Sequence, residues 1–246
     1  MEPRIFADET IEDLQAGGLR LIQKKDGFRF GTDAVLLADF AKIFVAAEIM
    51  DLCTGTGIIP ILLSQKTSAG RIFGLEIQPE ICAMAQRSVE LNGLEDRVEI
   101  TAGDVREAIA RYGTRRFDAV TCNPPYMKAG AGIRNTADEK SIARHEILCT
   151  LEDVVRVSAK LLKQGGHLAM VHRPQRLAEI FWIMRQYQIE PKRLRLVHSA
   201  ADREPVLCLV DGVLGGGTEL RILPPLILKS PDGRESEELK KIYGRG

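Results

Sequence analysis

Four short stretches of this chain carry residue types that can do chemistry together. Asp51-Leu-Cys-Thr-Gly55-Thr-Gly57 sets an acid four positions ahead of a Gly-x-Gly turn. Glu76 lies 19 residues beyond Gly57, and Asp104 sits in Gly103-Asp104-Val105. Asn123-Pro124-Pro125-Tyr126 comes last. Glycines in a turn let a ligand come close to the backbone. A dinucleotide turn asks for a third glycine where this chain has Pro60, and no phosphate-loop lysine follows, which disfavours a nicotinamide dehydrogenase and a nucleotide hydrolase. An acidic turn suits a ligand with cationic groups. A carboxylate at Glu76 can accept both hydroxyls of a ribose, and one at Asp104 can accept from an adenine amino group. Taken singly, each acid is an ordinary solvated residue at a strand end. Three acids ending three successive strands beside a glycine turn fit S-adenosylmethionine, with Ile77 and Val105 added as neighbouring contacts.

The Asn-Pro-Pro-Tyr stretch supplies the other half of a methyl transfer. An exocyclic amine on a base has a delocalised lone pair and attacks poorly. The Asn123 side-chain oxygen and the Pro124 carbonyl can each accept one amine N–H. Pro124 and Pro125 stiffen the turn, so the acceptors are preorganised. Tyr126 offers a face on which a planar substrate can stack. A proline-stiffened loop is the plain alternative, but the motif falls beside the expected ligand site. Cys122 as a nucleophile toward a pyrimidine is disfavoured, because a buried apolar role is the default for a strand cysteine. His145 closes a polar stretch, 128–143; a loop there can serve as a lid over the substrate, and a plain surface role is the preferred reading of His145. His167 and His172 are read as strand-end residues.

The elements that must position these residues alternate from about residue 49. Strand-like runs at 49–52, 71–77, 98–101, 117–122 and 167–172 are separated by helical patterns at 58–65, 79–91, 104–111 and 151–162, and a further helix is read at 174–187. Such alternation argues for an α/β fold: a mostly parallel sheet with helices on both faces. The runs at 194–198 and 206–210 are too close together for a crossover helix, so that pair is expected to be antiparallel. Residues 1–48 are read as an N-terminal cap, 49–230 as the main domain and 231–246 as a polar C-terminal tail that frays.

Composition sets the outer bounds. The chain has 246 residues, 45% apolar and 28% charged, with 34 basic and 34 acidic side chains. These figures exclude a disordered chain, a collagen and a coiled-coil rod. The longest stretch free of Asp, Glu, Lys and Arg runs 14 residues, from Leu52 to Gln65, too short to span a bilayer, and the N-terminus lacks a secretory apolar run. Five cysteines without a Cys-x-x-Cys pair read as free thiols in a reducing cytoplasm, with no metal site. Charge is uneven: residues 128–203 hold 14 basic side chains against 8 acidic. That excess, including Arg134, Arg144, Lys192, Arg193 and Arg195, is the candidate source of phosphate contacts.

Several stretches resemble one family. They are FRFGTDAVLLADF (28–40), DLCTGTGIIPILL (51–63), GLEIQPE (74–80), NPPYMK (123–128), ARHEILCTLEDVV (143–155) and HRPQRLAEI (172–180). The chain resembles class I S-adenosylmethionine-dependent methyltransferases, and within them the tRNA1(Val) adenine-N6 methyltransferases. The resemblance implies a Rossmann-like, seven-stranded sheet with its last strand antiparallel. It places Gly31, Thr32 and Asp33 at the methionine end of the cofactor. It also implies an RNA substrate, expected to be a tRNA. The loop 129–137 departs from the pattern in length and sequence. Methylation of an rRNA base or a protein glutamine amide is the alternative within the same chemistry. A non-catalytic RNA-binding module is disfavoured by the intact Asn123–Tyr126 stretch.

Overall fold

The computed structural model describes residues 3–26, 31–124 and 149–245. Pro125, Tyr126, Arg134, Arg144, His145 and the stretch 128–143 lie outside the described residues. The chain opens with a hairpin, β1 (Glu9–Asp13) and β2 (Arg20–Lys24). Helix α1 (Thr32–Phe40) follows. The alternating part then runs β3 (Glu48–Leu52), α2 (Ile58–Lys66), β4 (Arg71–Glu76), α3 (Pro79–Leu91), β5 (Val98–Ala102), α4 (Ala108–Tyr112) and β6 (Phe117–Cys122). After the undescribed stretch come α5 (Leu151–Leu161), β7 (Leu162–His172), α6 (Leu177–Gln186), β8 (Ile189–His198) and β9 (Pro205–Leu214). Two short strands, β10 (Arg221–Ile222) and β11 (Leu226–Ile227), and helix α7 (Glu237–Ile242) complete it.

Seven strands lie in the order β5-β4-β3-β6-β7-β9-β8, with β10 and β11 added parallel to β8 at the outer edge. β3 through β7 are mutually parallel, and β9 is antiparallel to both its neighbours. This is the expected Rossmann-like topology, including the antiparallel pair.

Alternating side chains feed two apolar layers. Ile49, Ile72, Ile100, Ala119 and Ala169 meet α1, α2 and α3 on one face. Met50, Leu52, Phe73, Leu75, Val120 and Met170 meet α4, α5 and α6 on the other. Central strands covered on both faces must be apolar throughout, which explains why Ile49, Met50 and Leu52 are all fully buried. Pro79 at the first position of α3 and the Thr150–Asp153 capping box of α5 fix where those helices begin.

Two local readings differ from the sequence expectation, and one segment gains detail. β7 begins at Leu162, where a helix was expected to run on to its glycine stop, so His167 lies within the strand rather than at its end. Residues 237–242 form a helix: Ser236 caps it, and Leu239 and Ile242, three apart, are buried against the α1 side of the core. In the segment read as a cap, β2 lies along α3, where the Ile22 N–H donates to Ser88 Oγ at 3.0 Å and Asn92 bridges to Arg20. Arg87 grips Glu9 through two bonds of 2.7 Å. Among the described residues, no helix is long and apolar enough to cross a membrane.

Candidate active site

After β3 the chain moves outward to β4 and β5, then returns to place β6 on the other side of β3. In such a sheet the crevice at the carboxyl ends of the strands, where the order reverses, is the ligand position. β3 and β6 pair with Asp51 opposite Thr121 and Leu52 opposite Cys122. That register sets the glycine turn and Asn123 side by side.

The turn is built from left-handed backbone at alternate residues: Cys53 at φ 58°, Gly55 at 56° and Gly57 at 82°. For glycine this costs little, whereas at Cys53 it is a strained conformation of the kind found at ligand sites. A Cβ on Gly55 would meet nothing within 4 Å, so the turn borders open space, whereas at Gly57 it would press on Ala85 of α3 at 3.2 Å. Glu76 holds the turn in place. Its Oε2 accepts from the Gly55 N–H at 2.9 Å, and its Oε1 accepts from the Gln78 N–H at 3.0 Å. The Gln78 Nε2 adds a long bond to the same Oε1 at 3.4 Å. A carboxylate has about four acceptor positions, so capacity remains for one ribose hydroxyl and for a second where the Gln78 side chain gives way.

Asp51 is fully buried. The Thr121 hydroxyl donates to its Oδ1 at 2.6 Å, while its Oδ2 and the nearby Thr54 hydroxyl are buried without a hydrogen-bond partner. Burial pushes the Asp51 carboxyl up to about 7, against the pull of the Thr121 and Thr54 hydroxyls, and the neighbouring Glu76 adds to the rise. An orphaned carboxylate oxygen at the strand end, an open glycine cradle and a ribose-competent acid fit the cationic, ribose-bearing cofactor expected from the sequence.

Asp104, at the end of β5, is already engaged. Its Oδ1 accepts from the Arg106 N–H at 2.8 Å and from Arg106 Nε at 3.0 Å, and its Oδ2 accepts from Arg106 Nε and from the outer guanidinium nitrogen. The Arg106 hydrogen bonds hold its carboxyl below the usual range. An adenine amino group can reach Asp104 only if Arg106 gives way. Ile77 is partly covered beside Glu76, and Val105 is buried in the apolar layer under α4 and α5.

On the substrate side, Asn123 and Pro124 follow β6 directly. The Asn123 Nδ2 donates to Asp33 Oδ2 at 3.2 Å, which joins the start of α1 to the end of β6. Gly31 caps α1, and the Tyr243 hydroxyl contacts Thr32 Oγ1 at 3.4 Å. The structure therefore gathers Thr32, Asp33, Asp51, Gly55, Glu76, Asp104 and Asn123 at one end of the sheet. His172 ends β7 next to β6; burial pushes its ring down to about 4, so it is neutral at pH 7, and its Nδ1 accepts from the Arg173 N–H at 2.7 Å. Cys122 is fully buried and its thiol is pushed up by that burial, which leaves it a core residue rather than a nucleophile.

The basic cluster on β8 is spent inside the fold. Lys192 donates to the carbonyls of Gly217 and Thr218 at 3.0 and 2.7 Å. Arg193 pairs with Asp211 at 3.0 Å and donates to the Phe40 carbonyl at 2.9 Å. Arg195 bonds the Pro224 carbonyl at 3.1 Å and pairs with Glu238. These three side chains brace the sheet edge, which corrects their reading as a phosphate-binding group. Thr121, Cys53, Arg106 and Tyr243 are site neighbours that the sequence reading missed. Thr121, Cys53 and Arg106 carried a signal, each two residues from a chosen residue, whereas Tyr243 carried none. Among the described residues, no group of three His, Cys, Asp or Glu side chains is arranged to hold a metal ion.

Comparison with known proteins shows the family and the fold. The family described as "Methyltransferase small domain" matches residues 25–187. A Porphyromonas gingivalis protein named tRNA1(Val) (adenine(37)-N6)-methyltransferase is 31% identical over 183 residues, covering 72% of this chain and 71% of that one. A protein of the same name from Aeromonas hydrophila is 27% identical over 210 residues, 85% and 86% of the two chains. Among solved structures, a predicted O-methyltransferase from Agrobacterium tumefaciens superposes with a TM-score of 0.71 at 24% identity, over 87% of this chain and 97% of that one. P. horikoshii TYW2 in complex with MeSAdo gives 0.60 at 15% identity, over 86% and 73%. These structures share the fold.

Proposed function

The chain belongs to the methyltransferase small-domain family and, within it, to the tRNA1(Val) adenine-N6 methyltransferases, and on that footing we propose that it methylates the N6 amino group of an adenine in a tRNA. It is an S-adenosylmethionine-dependent methyltransferase. One observation carries the reading: the register of β3 with β6 sets the amine-accepting Asn123-Pro124 next to the turn that Asp51, Gly55 and Glu76 form. When bound, the cofactor supplies an electrophilic methyl group, so that a nitrogen–carbon bond forms as the carbon–sulfur bond breaks and the amine sheds one proton.

The chain's own residues prepare the amine and hold the cofactor. Asn123 Oδ1 and the Pro124 carbonyl each accept one N–H of the adenine amine, which aims its lone pair and favours a pyramidal nitrogen. Partial negative charge on both acceptors stabilises the positive charge that develops on that nitrogen. Tyr126 stacks on the base. Glu76 binds the ribose, Asp51 faces the cationic end, and Asp104 meets the adenine of the cofactor once Arg106 is displaced. Gly31, Thr32 and Asp33 border the methionine end. A target base in a stacked loop must turn outward, at a cost of a few kcal/mol, and contacts to the RNA backbone offset it. A tRNA substrate places the protein in the cytoplasm, in keeping with its five free cysteines.

The test is incubation with methyl-labelled cofactor and total tRNA from a strain lacking the activity, followed by nucleoside analysis. Label in N6-methyladenosine is the expected result. Label in another nucleoside, or only in a protein glutamine, overturns it.

A further inference from the structure

We propose that Asp33 is a positioning residue that selects which end of the Asn123 amide faces the substrate. This inference rests on the reading of Asn123 as an amine acceptor. A carboxamide has nearly the same shape in its two flipped orientations. In one it presents an oxygen to the substrate amine; in the other it presents an NH2, which sets donor against donor. Shape alone cannot choose between them, so the partner of the other end must.

That partner is Asp33. Its Oδ2 lies 3.2 Å from Asn123 Nδ2, across 90 residues of sequence. A carboxylate only accepts hydrogen bonds. It therefore takes the NH2 end, which makes Oδ1 the atom at the other end of the amide. Asp33 is itself held, because its Oδ1 accepts from the Ala34 N–H at 2.9 Å. Helix α1 is fixed in turn, with Ala34, Val35, Leu36, Leu37 and Ala38 all buried. A helix that is apolar nearly all round is one packed on more than one side, so its first turn is a stable support. The bond has an electronic effect as well. A hydrogen bond to an anion draws the amide toward its charge-separated form and puts more negative charge on Oδ1, where the amine N–H is accepted. Asp33 thus contributes to the transfer step through Asn123, besides any contact that it makes with the cofactor.

The experiment measures single-turnover transfer to an unmodified tRNA1(Val) transcript at saturating cofactor and RNA. It compares wild type, Asp33→Asn, Asp33→Ala, Asn123→Ala and the double variant Asp33→Ala/Asn123→Ala. Cofactor affinity by calorimetry and the melting temperature report on binding and folding, and Asp33→Asn keeps the shape if the alanine variant fails to fold. The expected result is a rate lowered about 10–100-fold in both Asp33 variants, the range usual when a residue that orients a ligating group is lost. Because Asp33 also borders the cofactor, the cofactor Kd is measured separately and the rate defect persists at saturating cofactor, and the double variant is no slower than Asn123→Ala. Three results overturn the proposal: a wild-type rate in both Asp33 variants, a defect that saturating cofactor removes, or losses that multiply in the double variant. If Asn123→Ala itself transfers at the wild-type rate, the reading of the site fails and this inference falls with it. If Asn123→Ala is impaired while both Asp33 variants are not, only this inference fails.

Discussion

Asp51 and Asp211 are both buried in the same sheet, 0% and 1% exposed, and the fold surrounds them in opposite ways. Asp211, on β9, has both oxygens matched. Oδ1 meets His167 Nδ1 at 3.0 Å and Oδ2 accepts from Arg193 Nε at 3.0 Å. Arg193 then ties to the Phe40 carbonyl and packs its guanidinium over the Phe40 ring. Asp51, on β3, has only the neutral hydroxyls of Thr121 and Thr54 beside it, the first at hydrogen-bond geometry, while its Oδ2 has no well-aligned partner. A buried charge costs several kcal/mol unless it is paired. The fold meets that cost at the antiparallel end of the sheet with its own residues. At the switch point it leaves the cost standing. Strain at Cys53 and open space at Gly55 accompany the second case and not the first. A lone acid in a core is structural when its partners are internal, and is a candidate ligand when one lobe has none.

The comparison can be broken by removing each acid in turn. The largest loss of stability on substitution is expected at Asp211. Asp211→Ala strands Arg193 and His167, and should cost about 3 kcal/mol of stability. For a domain of this size that lowers Tm by roughly 6–12 °C, read by thermal unfolding, with cofactor affinity unchanged after allowance for unfolded protein. Asp51→Asn should act in the other direction and depend on pH. The Asp51 carboxyl stands at about 7 in the fold against about 4 in an unfolded chain. Its contribution is therefore fully present below pH 4 and is lost as pH rises through 7. A shift of that size caps the loss at on the order of 4 kcal/mol. In cofactor-free protein, wild-type stability should fall relative to Asp51→Asn between pH 5 and pH 8. Parallel curves would show that Asp51 is as well compensated as Asp211. Glu76→Ala is the mildest of the three, because Glu76 already has backbone partners. It should weaken S-adenosylmethionine binding by about 1–3 kcal/mol in a calorimetric titration. Unchanged affinity removes Glu76 from the site.

Much of this contrast was legible in the sequence, for a local reason. The glycine turn and Asn123-Pro124 each follow a strand directly and Glu76 ends one, and strand order plus Gly and Pro punctuation locates strand ends. The seven-strand topology follows from the same alternation, and the short gap before β9 gives its direction. What escaped were pairings set by register or long-range packing. Nothing local says that Asp33 meets Asn123, or that Asp51 faces Thr121. The β8 cations look free in sequence because their partners, Asp211, Glu238 and the carbonyls of Phe40, Gly217, Thr218 and Pro224, arrive from elsewhere. The α7 helix was hidden by composition, since two apolar residues among charges suffice when both are buried.

The most direct test separates binding from chemistry at Asn123. Wild type and Asn123→Ala are compared for cofactor affinity by calorimetry and for single-turnover methyl transfer to tRNA at saturating substrate. Loss of preorganised acceptors should slow transfer on the order of 10²–10³-fold while cofactor Kd moves by less than roughly tenfold. Transfer by Asn123→Ala at the wild-type rate, with N6-methyladenosine still formed, would contradict the account.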